Sequence, residues 1–341
     1  MNKRFYEMQA LLSRSVFFKL VCGAGNEEAE EVRRLSLIYT LAGCHGLDVS
    51  ASPEIVTACV AGIEKAYELA PQFARTIATR PFITVSVGMK GDHHVRKAFI
   101  TDACVKCGKC IPVCPTEAIT SDFVVTREKC IGCGNCDAIC PPKISAVEFG
   151  HDRKELDKIL PSCLEAGAEN IELHAAVSDD DSIIAEWQTI NRACDRHYVS
   201  MCLDRFHLSN LHLIERIRRA GEISRERLII QADGIPMSGG CDDFNTTLQA
   251  IAIADLIHKD LIKKDSKFRN LHILISGGTN GQTAELARLC DVPFSGISIG
   301  THARKIVKEY ITCAGDFDSN IGQIKEAVKV AEELVTRSIS K

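Results

Sequence analysis

No stretch of this 341-residue chain approaches the ~20 consecutive apolar residues that a membrane-spanning helix requires. A helical membrane protein is therefore not expected. An excess of either charge is missing as well: 41 Lys and Arg stand against 45 Asp and Glu, a net charge of −4. That balance gives no electrostatic reason to expect nucleic acid. The first residues do not carry the charged-then-apolar pattern of a secretory leader. Apolar residues at 45% and charged residues at 25% are ordinary for a globular chain able to bury a large core. Cysteine alone is out of proportion. Seventeen cysteines in a long chain without a leader point to a reducing compartment, and a cytoplasmic location is expected.

Eight of those cysteines fall into two copies of one pattern. Cys104, Cys107, Cys110 and Cys114, followed by Pro115, repeat as Cys130, Cys133, Cys136 and Cys140, followed by Pro141. Both copies read C-x2-C-x2-C-x3-C-P, the run by which bacterial-type ferredoxins hold two [4Fe–4S] clusters. Three closely spaced thiolates wrap one cubane, and the fourth, turned away by the proline, reaches the other. The expected metal ligands are Cys104, Cys107, Cys110 and Cys140 for one cluster, and Cys130, Cys133, Cys136 and Cys114 for the other. A zinc site would need two CxxC pairs rather than two four-cysteine runs, and a disulfide framework belongs to short secreted chains. Gly108, Gly132 and Gly134 let backbone amides approach cluster sulfurs. The nine remaining cysteines are scattered, and most are expected to be small buried hydrophobes.

Outside this block, short β-branched runs alternate with longer helical patterns. Strands are expected at 17–22, 47–50, 82–87, 171–175, 198–203, 228–232, 272–276 and 296–299. Helices are expected between them, with a last one over about 320–338. Strand–helix alternation implies a parallel sheet with helices outside. Eight units close an α/β (β/α)8 TIM-like barrel, with an open doubly wound sheet as the alternative. The cysteine block interrupts the rhythm after the third strand. The expected organisation is barrel strands 1–3 in residues 1–97, an inserted 2×[4Fe–4S] ferredoxin domain in 98–148, and the rest of the barrel with a closing helix in 149–341. An insertion at a strand's carboxyl end lies on the active face of a barrel, which would set the clusters over its mouth.

Alternate residues of each strand point to opposite faces. One set is apolar throughout. The other contains Lys19, Asp48, Ser50, Thr84, Ser86, Glu172, His174, Ser200, Cys202, Gln231, Asp233, His272, Ser276 and Ser298. In a closed barrel this set lines the lumen, where bulky branched residues are usual. Buried charges there must be paired, and Lys19 facing Asp48 or Glu172 meets that need. Lys19 reads either as a cation for an anionic substrate, as an amine of depressed pKa, or as an ion-pair partner. His174 reads as a general acid/base, as a hydrogen-bond partner of a bound ring, or as a satisfied core histidine. Lys19, Glu172, His174 and Asp233 are the catalytic candidates, and Gln231 offers amide hydrogen bonds to a ligand.

The last two units add a glycine signal. Ser276-Gly277-Gly278-Thr279-Asn280-Gly281 and Gly300-Thr301 each end a strand and open a helix. Such turns suit a phosphate, that of FMN or of a phosphorylated substrate, although plain turn chemistry explains them equally. Gly277, Gly278, Thr279, Asn280, Gly300 and Thr301 are the cofactor-binding candidates, with Gln231. A Gly-rich loop over 233–243 follows the sixth strand and reads as a lid or as packing over the barrel end.

Taken together these pieces resemble LdpA, the light-dependent period modulator family of iron–sulfur proteins. The residues that carry the likeness are Phe18 to Ala24, Tyr39 to Gly43, the double cysteine block, Glu172-Leu173-His174, Gln231 to Gly239 and Gly277 to Asn280. They span nearly the whole chain in order. The resemblance implies a redox-active protein of the kind regarded as feeding the cell's redox state to the circadian clock. By architecture alone the plan is also similar to flavin-dependent dehydrogenases fed by iron–sulfur domains. Two functions follow as expectations. One is electron transfer or redox sensing through two clusters, with an electron donor or acceptor protein or a small redox molecule such as a quinone as partner. The other is a flavin-linked oxidoreductase acting on a small anionic or phosphorylated ligand in the lumen.

Overall fold

Short runs rich in Val, Ile and Leu, each ended by a polar or glycine turn, form strands because branched side chains pack well on a pleated surface. The computed structural model describes residues 2–23, 27–88, 96–127, 129–130, 132, 134–151, 156–205, 208–234, 242–312 and 316–339. The chain begins with α1 (Lys3–Ser13), β1 (Phe17–Val21), α2 (Ala29–Leu41), β2 (Gly46–Ser50), α3 (Pro53–Leu69) and β3 (Phe82–Gly88). Next come β4 (Arg96–Ile100), α4 (Asn135–Ile139) and β5 (Val147–His151). Alternation then resumes with α5 (Leu156–Glu165), β6 (Asn170–His174), α6 (Asp180–Ala193), β7 (Val199–Leu203), α7 (Asn210–Ser224) and β8 (Leu228–Asp233). It ends with α8 (Leu248–Ile257), β9 (His272–Ser276), α9 (Thr283–Leu289), β10 (Gly296–Ile299), α10 (Thr301–Ile311) and α11 (Ile321–Ile339).

Eight of these strands close a parallel barrel in the order β1-β10-β9-β8-β7-β6-β3-β2. The TIM-like barrel read from the strand count is the fold. Closure joins β1 to β10, with Lys19 opposite Ser298. The helices around it start where capping supplies their free amides: Asp179 accepts from the Ser182 amide at α6, and Ser209 from the His212 amide at α7. The apolar strand set, with Leu20, Val49, Val85, Leu173, Met201, Ile230, Ile275 and Ile299, packs outward into one large core shared with the helices. No helix among the described residues is long and apolar enough to cross a membrane.

Two elements lie outside the strand–helix alternation. Helix α1 closes the amino-terminal end of the barrel. Asn2 caps it by accepting from the Phe5 amide, and Phe5, Met8, Leu11 and Leu12 form its buried stripe. That stripe packs on Phe17, Phe82, Tyr198, Ile229 and Leu274 as a separate apolar cluster. These five share strand faces with the polar lumen set but lie at the closed end, so the barrel bottom is dry and its upper half polar. His272 belongs to that closed end. It meets Ser295 Oγ at 3.0 Å and the edge of Tyr198, away from the polar lumen.

The other is the inserted module. It enters after β3, whose last residue Gly88 registers with His174 at the end of β6. The insertion therefore begins at the carboxyl end of the strands. The antiparallel pair β4–β5, with Arg96 opposite His151 and Ile100 opposite Val147, ties the two ends of the module together. This ladder begins before and ends after the 98–148 boundaries read from the sequence. A small core of Ala98, Ala118, Ile119, Val147 and buried cage cysteines fills the module. Cys133, residues 90–95 ahead of the cysteine block, and the 235–241 part of the loop after β8 lie outside the described residues.

Candidate functional site

Seven of the eight cysteines of the block, those among the described residues, line two cages. One cavity is lined by Cys104, Cys107, Cys110 and Cys140, with Ile100, Ile144 and Val147 behind them. A second is lined by Cys114, Cys130 and Cys136, with Ala118, Ile119, Val125 and Phe149. The fourth cysteine of each run thus lies in the cage of the other run, as the proline-terminated spacing predicts. Backbone amides point at the sulfurs: Ala98 at Cys130 (3.3 Å), Lys106 at Cys104 (3.3 Å), Ala118 at Cys114 (3.2 Å) and Ala146 at Cys140 (3.4 Å). Such N–H groups stabilise thiolate and cluster charge. Burial works against the Cys114 thiolate, but the amides of Thr116, Ala118 and Ile119 outweigh it and hold its pKa below the usual range. At Cys110 burial comes first, and with the neighbouring Cys104, Cys107 and Cys140 it pushes the thiol up. Gly108, Gly132 and Gly134 all adopt positive φ, so the cage turns use the left-handed region that glycine enters freely. Four thiols around the first apolar-backed cavity, and three among the described residues around the second, with amides aimed inward, fit cubane clusters. The cages differ in exposure: Cys107 is exposed, whereas Cys130 and Cys136 are buried.

The barrel lumen holds the second constellation. Lys19 on β1 places Nζ 2.5 Å from Asp48 Oδ2 on β2 and 2.7 Å from Glu172 Oε2 on β6. All three are at most 2% exposed. The Ser86 hydroxyl donates to Asp48 Oδ1. Ser200 Oγ donates to Glu172 Oε2 (2.6 Å), and Gln231 Nε2 donates to Glu172 Oε1 (2.8 Å). His174 Nε2 stands 3.5 Å from Glu172 Oε1. Cys202 donates its S–H to Asp233 Oδ2 at 3.3 Å. The strands β1, β2, β3, β6, β7 and β8 therefore each give a polar side chain to one connected patch. Lys19, Glu172, His174, Gln231 and Asp233, singled out from strand alternation, all belong to it.

Electrostatics corrects one reading of Lys19. Burial disfavours its charge, but the carboxylates of Asp48 and Glu172 outweigh that cost, and its pKa lies above an ordinary lysine rather than below. An amine with a depressed pKa is excluded by these two contacts. The carboxylates divide the proton affinity between them. Burial lifts Asp48 to about 6 despite Lys19. Glu172 is buried as well, yet Lys19, His174 and its hydrogen-bond donors bring it below the usual range. Burial first, then the Asp233 and Glu172 carboxylates, keeps Cys202 a thiol by raising its pKa.

The glycine turns have a local structural account. Gly277 sits at φ +70°, and a Cβ there would lie 2.1 Å from Asp233 Oδ1 and 2.4 Å from the Gly234 amide. Its conformation lets the turn pack against the end of β8. Thr279 donates to the Ser298 carbonyl at 2.6 Å. Asn280 donates to the Asp243 carbonyl (2.6 Å) and Thr246 Oγ1 (2.9 Å), and accepts from the Gln282 amide. Thr279 thus ties the turn to β10, and Asn280 braces the loop before α8. Gly278 is also left-handed, Gly300 caps α10, and Thr301 is its first residue.

Four members of the lumen patch, Asp48, Ser86, Ser200 and Cys202, lay on the polar face but were not among the site candidates. Ser200 lacked any signal beyond its face. Cys202 also counts among the nine cysteines outside the block, and six of those (Cys22, Cys44, Cys59, Cys163, Cys194 and Cys202) are indeed buried. Its strand position opposite His174 is the signal that distinguishes it.

Comparison with known proteins follows the same division. Residues 163–337 match the light dependent period A C-terminal domain, residues 110–149 the LdpA Fe–S cluster-binding domain, and residues 98–120 a 4Fe–4S binding domain. Light dependent period A of Synechococcus elongatus is 31% identical over 270 residues, which cover 78% of this chain and 72% of that protein. Among solved structures, the YdjI aldolase of Escherichia coli K12 aligns at TM-score 0.49 and 8% identity, over 98% of this chain and 94% of its own. A putative deoxyribose-phosphate aldolase from Toxoplasma gondii aligns at TM-score 0.45 and 13% identity, over 97% of both chains. Likenesses at that level carry no argument about what this chain does.

Proposed function

The chain belongs to the light dependent period A family of iron–sulfur proteins, and from that premise we propose that it carries two [4Fe–4S] clusters for electron transfer or redox sensing. The single observation behind this reading is the pair of cages with exchanged fourth ligands, Cys140 in the first and Cys114 in the second. Two one-electron centres held by one small core accept electrons singly and pass them between neighbours. The more exposed cage, with Cys107 at the surface, is the entry point for an electron donor or acceptor, either a protein or a small redox molecule. The module leaves the barrel at the carboxyl ends of the strands, the face on which a lumen ligand such as a quinone or FMN would arrive.

Anaerobically purified protein tests this directly. About eight iron and eight sulfide per chain are expected from two cubanes, with reversible bleaching on reduction by about two electrons. Four iron per chain, or clusters that reduce only with loss of iron, would sink the reading.

A second reading, an oxidoreductase acting in the lumen, draws support from the buried Lys19–Glu172–His174 patch, which a simple carrier does not need. Lys19 there is a cation paired with two carboxylates rather than a nucleophile. A flavin that survives desalting, or turnover of a small anionic substrate with a reduced electron donor, would favour it.

A further inference from the structure

The carboxyl-end half of the lumen brings three unlike metal-binding groups together, and none of them belongs to the cluster cages. One oxygen of Glu172, one ring nitrogen of His174 and the sulfur of Cys202 all lie within 4.8 Å of one another. Glu172 Oε1 and His174 Nε2 are 3.5 Å apart. Two ligands on one tetrahedral zinc, with bonds of about 2.0–2.3 Å, stand roughly 3.3–3.8 Å apart. Small side-chain rotations therefore suffice to close the set on one ion. We propose that Glu172, His174 and Cys202 form a mononuclear zinc site in the barrel lumen, with the fourth position open to water.

Strand geometry builds the site. Glu172 and His174 are two apart on β6 and share a face, and His174 registers with Cys202 on β7. Cys202 in turn registers with Gln231 on β8. The surroundings orient the carboxylate as outer partners orient a metal ligand. Lys19 and Ser200 both hold Oε2, at 2.7 and 2.6 Å, so Oε1 is the oxygen turned toward His174 and Gln231.

Gln231 supplies the independent sign of a ligand. It is 3% exposed, and its amide nitrogen lies 2.8 Å from Glu172 Oε1 and 3.8 Å from Cys202 Sγ. Its Oε1 is buried and accepts no hydrogen bond from the described residues. A buried acceptor without a donor is costly, and a water on the open metal position would donate to it. The donor set chooses the ion. Thiolate with imidazole and carboxylate suits zinc, whereas magnesium and calcium take oxygen ligands. On binding, the S–H bond of Cys202 breaks and the S–Zn bond forms. The proton has an acceptor in place, because the thiol already donates to Asp233 Oδ2 at 3.3 Å. One carboxylate and one thiolate then balance the dication.

The test uses the full, cluster-loaded protein supplied with one equivalent of zinc and then desalted. Zinc-edge X-ray absorption should show one sulfur at about 2.3 Å and two or three nitrogen or oxygen neighbours at about 2.0 Å. Cys202→Ala and His174→Ala should each hold zinc at least tenfold more weakly with iron content unchanged. Glu172→Gln is the less useful variant, since it also removes a partner of Lys19. Zinc in an all-sulfur shell would place it in the cages and overturn the proposal. So would zinc retention equal to wild type in both variants, or none retained by the wild-type protein. Iron is counted in the same samples, so failure of the cluster reading registers separately from failure of this one.

Discussion

Lys19 lies between two carboxylates in a water-poor lumen, and this sets the cost of changing any of the three. Glu172 accepts from Lys19, Ser200 and Gln231 at once. Glu172→Gln leaves the ammonium with one charged partner and should cost about 1.5–3 kcal/mol, the range for a lost hydrogen bond to a charged group. A lowered thermal unfolding midpoint in the anaerobic protein checks it, and an unchanged midpoint would contradict the pairing. Two residues give opposite pH signs. Burial holds His272 neutral down to about 4, against an ordinary value of 6.5. Across that window the unfolded chain binds the extra proton, so stability falls as pH drops from about 6.5 toward 4. Asp48, raised from 3.8 to about 6, binds its proton more tightly when folded and costs stability as pH rises across that interval. His272→Gln removes the first effect alone. With the Asp48 effect left in place, its unfolding midpoint should rise relative to that of the wild type as pH drops from 6.5 to 4, as read by circular dichroism melts.

Among the elements, α1 closes one end of the barrel. Phe5 stacks on Tyr198 with centroids 4.5 Å apart and planes 12° from parallel, and it is 2% exposed. Phe5→Ala should cost about 3–5 kcal/mol with the iron content intact, because the stacked pair belongs to the barrel and the cages to the module. Equal loss of iron would show that the two cores are coupled. The eight barrel strands were legible because each is a short branched run between turn residues: His272–Ser276 and Gly296–Ile299 match the sequence reading residue for residue. Helix α1 was not read as an element although its apolar residues recur at helical spacing, because no strand precedes it and strand–helix alternation does not call for it. The β4–β5 pair joins segments that flank the whole cysteine block, and pairing so distant leaves no local signal. Within the site, the polar face gave Lys19, Glu172, His174, Gln231 and Asp233 together, since alternation alone decides which way a strand residue points. Cys202 lies on the same face but was not named with them, because a single strand cysteine looks like any small buried residue until its neighbours across the ladder are known.

The whole molecule places an iron–sulfur module at the end of the strands whose lumen carries ionisable groups. Its central claim is the exchange of ligands between the two cysteine runs. The most direct measurement compares the reduced-state EPR spectra of Cys114→Ser and Cys140→Ser with that of the wild-type protein, which should show two interacting reduced cubanes. Cys114→Ser should perturb the cluster held by Cys130 and Cys136 and leave that held by Cys104, Cys107 and Cys110 intact, while Cys140→Ser should do the reverse. If each substitution instead damaged the cluster of its own run, or both abolished the same signal, the interleaved cages would be wrong.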